Sequence, residues 1–232
     1  MRLEWRDQIF HLLAQRALWW PERRTLIVAD LHWGKDTVFR QSGLAVPEGT
    51  LAADLQRLDE LITRYQAERL LILGDLVHSA PTVEDSWAQS IARWRRRHQA
   101  LTIAVVNGNH DRRLGPWLNE WGMQDMGASC REAPFVWRHE PSVSDDGYVI
   151  AGHLHPAVAV RIGRRRQRLP VFWFGPDYAV LPAFGSFTGQ ALIQGTAQDR
   201  IYAVVNQRVV AVPVHLTTNR YALRHNSALI DH

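Results

Sequence analysis

Four short groups of aspartate, asparagine and histidine recur along the 232-residue chain, each directly after an apolar run. They are Asp30-Leu31-His32, Gly74-Asp75, Asn107-Gly108-Asn109-His110-Asp111 and Gly152-His153-Leu154-His155. Carboxylate oxygens and imidazole nitrogens suit divalent first-row metals, and the absence of thiolates argues against a soft-metal site. His153 and His155 stand two apart, so in extended chain both rings fall on the same side, a chelating spacing. Each group also has a plainer reading. Asp-x-His and Asn-His-Asp are common turn and cap sequences, because Asp and Asn bond their own backbone. Their joint occurrence, each at a strand end, points to one metal-binding crevice.

The runs that must position these groups are Thr25–Ala29, Arg69–Leu73, Leu101–Val106 and Tyr148–Ala151, with the length and apolar content of buried strands. Thr50 to Glu68 reads as an amphipathic helix with Leu51, Leu55, Leu58, Leu61 and Ile62 on one stripe. Asp85 to Gln99 reads as a second, with Trp87, Ile91 and Trp94 inward and an arginine-rich end that suits a helix C-terminus. Alternating strands and helices imply parallel pairing. In such a sheet, the loops leaving the C-terminal strand ends gather at one edge, where ligands bind.

Past residue 130 the runs Ala157–Ile162, Val171–Phe174, Ile201–Val205 and Val209–Val214 are separated by turn residues, which predicts an antiparallel sheet. Residues 1–20 read as a leading strand or hairpin around Leu3, Trp5, Ile9 and Phe10. No repeat, low-complexity tract or linker intervenes, so one α/β domain with two sheets over residues 1–232 is expected.

Composition narrows the class. With 46% apolar and 22% charged residues, the chain can bury a core. A net charge of +4 and a pI of about 9.7 favour an anionic partner. The single cysteine, Cys130, excludes an intramolecular disulfide framework and a Cys-based zinc cluster. No apolar run approaches the roughly 18 residues of a membrane span. The start, MRLEWRDQIF, has no signal-peptide stretch, so a cytoplasmic protein with no membrane partner is expected. No G-x-G-x-x-G follows a strand, and Gly34-Lys35 lacks the upstream glycine of a P-loop.

The combination resembles the calcineurin-like metallophosphoesterases, whose signature is D-x-H, G-D, G-N-H-[DE], a lone histidine and G-H-x-H. Here these are Asp30-Leu31-His32, Gly74-Asp75, Gly108-Asn109-His110-Asp111, His139 and Gly152-His153-Leu154-His155. The resemblance implies two packed β-sheets flanked by α-helices, an αββα sandwich. It implies that Asp30, His32 and His155 hold one divalent metal, that Asn109, His139 and His153 hold a second, and that Asp75 bridges them. By itself His139, in Arg138-His139-Glu140-Pro141, reads equally well as a surface residue. Manganese is the expected metal, with iron and zinc as alternatives.

The implied chemistry is phosphoester hydrolysis. Two dications neutralise the phosphoryl charge and lower the pKa of a water between them. His110 would then stabilise the phosphoryl group or protonate the leaving oxygen. Many family phosphatases carry G-D-x-x-D-R-G, whose second aspartate orients that histidine. This chain has His78 and Ser79 instead, which leaves the orienting partner of His110 open, with Asp111 a candidate, and argues against a protein Ser/Thr phosphatase.

A finer similarity is to the DNA-ligase-associated metallophosphoesterases, the PdeM subgroup. It rests on Asp-Leu-His-Trp-Gly-Lys (30–35), Gly-Asp-Leu-Val-His-Ser (74–79), His-Glu-Pro (139–141), Gly-His-Leu-His-Pro (152–156) and Leu-Pro-Ala-Phe-Gly (181–185). It implies a manganese-dependent single-strand DNA endonuclease of the DNA damage response, with repair helicases or ligases as partners. Arg161, Arg164, Arg165, Arg166 and Arg168 follow the His-x-His group and are expected in a hairpin turning near Gly163 beside the site. Their contacts to a polyanionic backbone would be salt-sensitive.

Lys35, Asn109 and His110 are further candidate phosphate contacts, and Trp33 is a candidate base-stacking residue. Trp94, Trp121 and Trp173 read as core, and Arg93, Arg95, Arg96 and Arg97 as a solvated face. The alternative substrate is a small molecule, a nucleotide or sugar phosphate. A metal-free scaffold is opposed by the presence of every expected ligand type.

Overall fold

A computed structural model describes residues 1–46, 49–162 and 165–218. Its first sheet opens with three short strands, β1 (Arg2–Trp5), β2 (Gln8–Leu13) and β3 (Ala17–Trp20). Left-handed residues Arg6, Asp7 and Arg16 turn the chain between them, so the ambiguous start is a meander rather than one strand or hairpin. Strands β4 (Thr25–Val28), β5 (Arg69–Leu73), β6 (Thr102–Val106) and β7 (Gln124–Asp125) continue the sheet in parallel, in the order β1 to β7.

Helices α1 (Lys35–Gln41), α2 (Thr50–Tyr65), α3 (Ser86–Arg97) and α4 (Gly115–Glu120) lie between these strands. The two long helices stand where periodicity predicts them. The helices α1 and α4 were not expected, being too short to show a period. Strand side chains alternate between two layers. Leu26, Val28, Leu70, Ile72, Ile103 and Val105 meet the apolar faces of α2, α3 and α4. Ile27, Ala29, Leu71, Leu73, Ala104 and Val106 face the other way, against the second sheet's Phe135, Trp137, Ile150 and Phe172. Burial on both faces is why these strands read as continuous apolar runs.

The second sheet contains β8 (Ser129–Glu132), β9 (Phe135–Arg138), β10 (Tyr148–Ala151), β11 (Pro156–Ile162), β12 (Arg165–Phe174), β13 (Tyr178–Val180), β14 (Ala191–Leu192), β15 (Arg200–Val205) and β16 (Arg208–Val212). Its path runs β14-β11-β12-β13-β10-β9-β8, with β15 and β16 branching from β12. The runs expected to pair antiparallel do so, β11 with β12, β12 with β15 and β15 with β16. The sheet as a whole is mixed, with β10 parallel to both β9 and β13, and β11 parallel to β14. The return from β9 to β10 is an irregular loop over residues 139–147, not a helix, and therefore carries no crossover signature.

The two-sheet sandwich flanked by helices is present, with its helices unequally shared. The cores of α2, α3 and α4 all lie on the outer side of the first sheet, and beyond β16 the described chain adds a single turn, α5 (His215–Thr218). Among the described residues, no helix is long and apolar enough to cross a membrane.

Trp94 and Trp121 are buried as expected, and Trp173 is half-buried against the second sheet's outer cluster. Trp33 is buried too, edge-on to Trp94 with ring centroids 6.1 Å apart. Its indole faces the helix layer, so it does not offer a stacking surface to a base.

Candidate metal centre

Every group singled out in the sequence leaves a strand at the same edge. Asp30 and His32 follow β4, Asp75 follows β5, Asn109 and His110 follow β6, His139 follows β9, and His153 and His155 follow β10. Because β9 and β10 run parallel, His139 and His153 emerge side by side, with ring centroids 4.8 Å apart.

The side chains form three triads, Asp30 with His32 and His155, Asp75 with His139 and His153, and His32 with His78 and His110, and within each the donor atoms lie within 4.8 Å of one another. The first two contain a carboxylate. His32 Nε2 is 3.3 Å from His155 Nε2, and His139 Nε2 is 3.0 Å from His153 Nδ1. Asp75 belongs to the second carboxylate triad, with Oδ1 3.5 Å from His139 Nε2, and reaches the first with Oδ2 3.7 Å from His32 Nε2. Asp30 is fully buried, with Oδ1 3.4 Å from His155 Nε2.

The surrounding backbone fixes which nitrogen of each ring is free. The Nδ1–H groups of His139 and His155 donate to the carbonyls of Leu73 and Gly189, at 3.0 and 3.1 Å. Each Nε2 is thereby turned into the site, the orientation that metal-ligating histidines adopt. His32 is held neutral, its pKa pushed down to about 2 first by burial and then by the nearness of other basic groups, His155, Lys35, His110 and His78. Imidazole nitrogens facing one another beside buried carboxylates form a cluster of donor atoms that a divalent cation would satisfy. Nitrogen and oxygen donors without sulfur fit a first-row ion.

Local backbone strain accompanies the arrangement. Asp30, His32, Asp75, His153 and His155 all have left-handed φ, between 48° and 70°. Such conformations cost roughly 1–3 kcal/mol each for non-glycine residues and cluster at functional sites. Glycine supplies the clearance. Gly74 has φ of 77°, and a Cβ there would overlap the imidazole of His139. Exchanging Gly74 for alanine is therefore expected to misaim His139 and weaken metal affinity by about 10- to 100-fold, as disturbed ligand orientation does elsewhere. Metal titration of the variant checks this, and unchanged affinity would contradict the assignment of His139.

His110 stands at the rim, its side chain 40% exposed, with Nε2 4.0 Å from Asp75 Oδ2. Its Nδ1 is 2.8 Å from the carbonyl oxygen of His78, and its ring stacks on the His78 ring at 5.0 Å. Asp111, the orienting partner considered from sequence, is engaged elsewhere. Its buried carboxylate accepts the backbone N–H groups of Gly108, Leu76 and Val77, at 2.9, 3.3 and 3.4 Å. Burial raises its pKa while those bonds oppose the shift. Asp111 thus ties the loop after β6 to the loop after β5, and the His78 carbonyl takes the orienting place. A main-chain acceptor cannot be read from residue identity.

Asn109 is exposed at the same loop, between Gly108, which abuts Asp75, and His110, whose N–H donates to Asp75 Oδ1 at 3.0 Å. Lys35 is half-buried at the start of α1, with Asp75 among the charges that act on it. Strands β11 and β12 pair Arg161 with Arg166 and Ile162 with Arg165 as an antiparallel hairpin. The side chains of Arg161, Arg165 and Arg166, and the turn with Gly163 and Arg164, lie outside the described residues. The one described member, Arg168, donates to the carbonyl of Gln190 at 2.8 Å.

Residues 23–168 match the calcineurin-like phosphoesterase family. The chain belongs to that family. As a calcineurin-like phosphoesterase it is a hydrolase of phosphoesters, and its family chemistry uses divalent metals. Its fold superimposes on a Pseudomonas putida nuclease, MPE, with TM-score 0.80 and 36% identity, covering 91% of this chain and 99% of that one. YfcE, a phosphoesterase from E. coli, gives TM-score 0.42 and 16% identity over 82% of this chain and 98% of its own. A protein of unknown function from Aquifex aeolicus, AQ665, gives 0.40 and 14% over 56% and 78%. No curated protein matches the chain.

Proposed function

We propose that this phosphoesterase is a two-metal phosphodiesterase that cuts single-stranded DNA internally. The observation that carries the proposal is Asp75, whose Oδ1 faces His139 of its own triad and whose Oδ2 faces His32 of the triad of Asp30, His32 and His155. Asp30, His32 and His155 would hold one ion, His139, His153 and Asn109 the other, with Asp75 shared and manganese the expected metal. The nuclease named among the similar structures, alike over nearly the whole chain, supports a nucleic-acid substrate. The similarity to the DNA-ligase-associated subgroup extends the proposal to DNA damage repair in the cytoplasm, beside a ligase or helicase.

When bound, the paired ions supply charge neutralisation and an activated water near neutral pH. The chain's own residues do the rest. Asp75 and the buried Asp30 place carboxylate oxygens at the floor of the site, while His139 and His155, held through Nδ1 by main-chain carbonyls, turn Nε2 inward. His110, steered through Nδ1 by the His78 carbonyl, presents Nε2 at the open rim. There its imidazolium form, with both ring nitrogens protonated, can give the Nε2 proton to the departing oxygen and return to the neutral ring. Lys35 brings a positive charge to the same mouth for a backbone phosphate.

Incubation of metal-loaded protein with circular single-stranded DNA tests the reading. Nicked circles are expected, since an exonuclease has no end from which to start. Their formation should fall about tenfold or more between 50 and 200 mM salt, as backbone-phosphate contacts require. Intact circles beside active hydrolysis of a nucleotide or sugar phosphate would favour the small-molecule alternative.

A further inference from the structure

We infer that Phe39 and Phe187 form a corner that stacks an unpaired base of the substrate beside the metal centre, so that single-strandedness is read by aromatic rings. The inference rests on the nuclease reading and names the element that selects flexible DNA. Trp33, the stacking candidate from sequence, is sealed in the core. A different set of rings reaches the mouth of the site.

Starting from His110, the rings run outward in contact. His78 stacks on His110 at 5.0 Å, Phe39 lies 5.8 Å from His78, and Phe187 meets Phe39 at 5.4 Å with planes at 88°. Both phenylalanines are half-buried, and Phe187 also lines a crevice with His32, Lys35 and Leu51. Two perpendicular rings make a corner in which a flat base can lie on one face and meet the edge of the other, the arrangements aromatic groups prefer. Lys35 Nζ sits 5.7 Å from the Phe39 ring centre and 6.0 Å from that of Phe187. A cation and π-faces in one place match what a nucleotide carries, a phosphate and a base.

The corner is held in place from behind. Phe187 belongs to a segment anchored on the buried carboxylate of Asp54, which accepts the N–H of Ser186 at 3.0 Å and its hydroxyl at 2.5 Å. Arg57, paired with Asp54 at 3.0 Å, lies 4.0 Å over the Phe184 ring and donates to the Phe184 carbonyl. Phe39 is carried by α1, where Arg40 and Asp36 pair at 3.3 Å. A paired base in a duplex has both faces covered by its neighbours, so the corner would accept only a base free to leave its stack.

The test compares two substrates, oligothymidylate and the same backbone carrying tetrahydrofuran abasic residues. The metal-loaded wild type is expected to cleave the base-bearing strand about tenfold to a hundredfold more efficiently, the range that loss of one stacked base predicts. Phe39→Leu and Phe187→Leu keep apolar bulk without a π-face and should erase most of that ratio, while Phe187→Trp should keep it. Binding of a 2-aminopurine oligonucleotide by metal-free protein gives a second readout. The wild type and Phe187→Trp should quench its fluorescence, and the leucine variants should not. A wild type that cleaves both strands equally, or leucine variants with an unchanged ratio and quench, would overturn the corner and leave the nuclease reading standing. A wild type that cuts neither strand would instead overturn the nuclease reading.

Discussion

Exchanging Asp75 for alanine is expected to lower phosphodiester hydrolysis by about a thousandfold or more. The reason is its position between the triads, 3.7 Å from His32 on one side and 3.5 Å from His139 on the other. Removing it takes one buried carboxylate from a site proposed to hold two dications. Metal-centred charge stabilisation is worth several kcal/mol, and about 1.4 kcal/mol is a factor of ten in rate. The same carboxylate also accepts the N–H of His110, so the variant loosens the rim histidine too. Elemental analysis should find the bound metal reduced from two ions to one or none per chain. Full turnover with two ions retained would refute the bridging role. Asp75→Asn sharpens the test, because it keeps the shape and the His110 contact while removing charge, and it should lose nearly as much activity.

His110→Ala should give the opposite dissociation between binding and turnover. Its side chain is 40% exposed, so the fold and the metal content are expected to survive. Turnover on DNA should fall by about 10²–10⁴-fold, the range for a positioned general acid. A diester with a nitrophenolate leaving group needs little protonation and should lose much less. Equal losses on both substrates would assign His110 to phosphoryl stabilisation instead, and no loss on either would remove it from the mechanism. The anchoring of Nδ1 on the His78 carbonyl fixes the direction in which Nε2 points. That acceptor is main chain, so replacing the His78 side chain removes a stacking partner without removing the orienting group.

Lys35, Asn109 and Asp111 illustrate how far residue types carry. All three stand at the expected edge, yet the partners of Asp111 differ from what its name suggests. Asp111 serves three backbone N–H groups and leaves His110 to a carbonyl. The stacking role moves from Trp33 to Phe39 and Phe187, which sequence reading passed over. Phe39 lies in α1, and the Asp36–Arg40 pairing at i, i+4 is the local signal that would have shown this short helix. Phe187 had no such signal. Its position depends on Asp54, 133 residues earlier in the chain, through the contact of Asp54 with Ser186.

The amino-acid sequence by itself settled which chemistry is available and which strands deliver it. Periodicity and donor type are local properties, and a run such as Arg69–Leu73 followed by Gly74-Asp75 states both at once. Tertiary structure alone decided how the donors meet. An antiparallel β9–β10 pair would have sent His139 to the far edge of the sheet. The parallel pairing Tyr148 with Phe135 through Ile150 with Trp137 sets it beside His153 instead. Strand direction, the ring orientations set by the Leu73, Gly189 and His78 carbonyls, and the left-handed φ of five site residues all depend on partners distant in the chain. Main-chain acceptors look alike at every position, so only the folded backbone tells which one a ring will find.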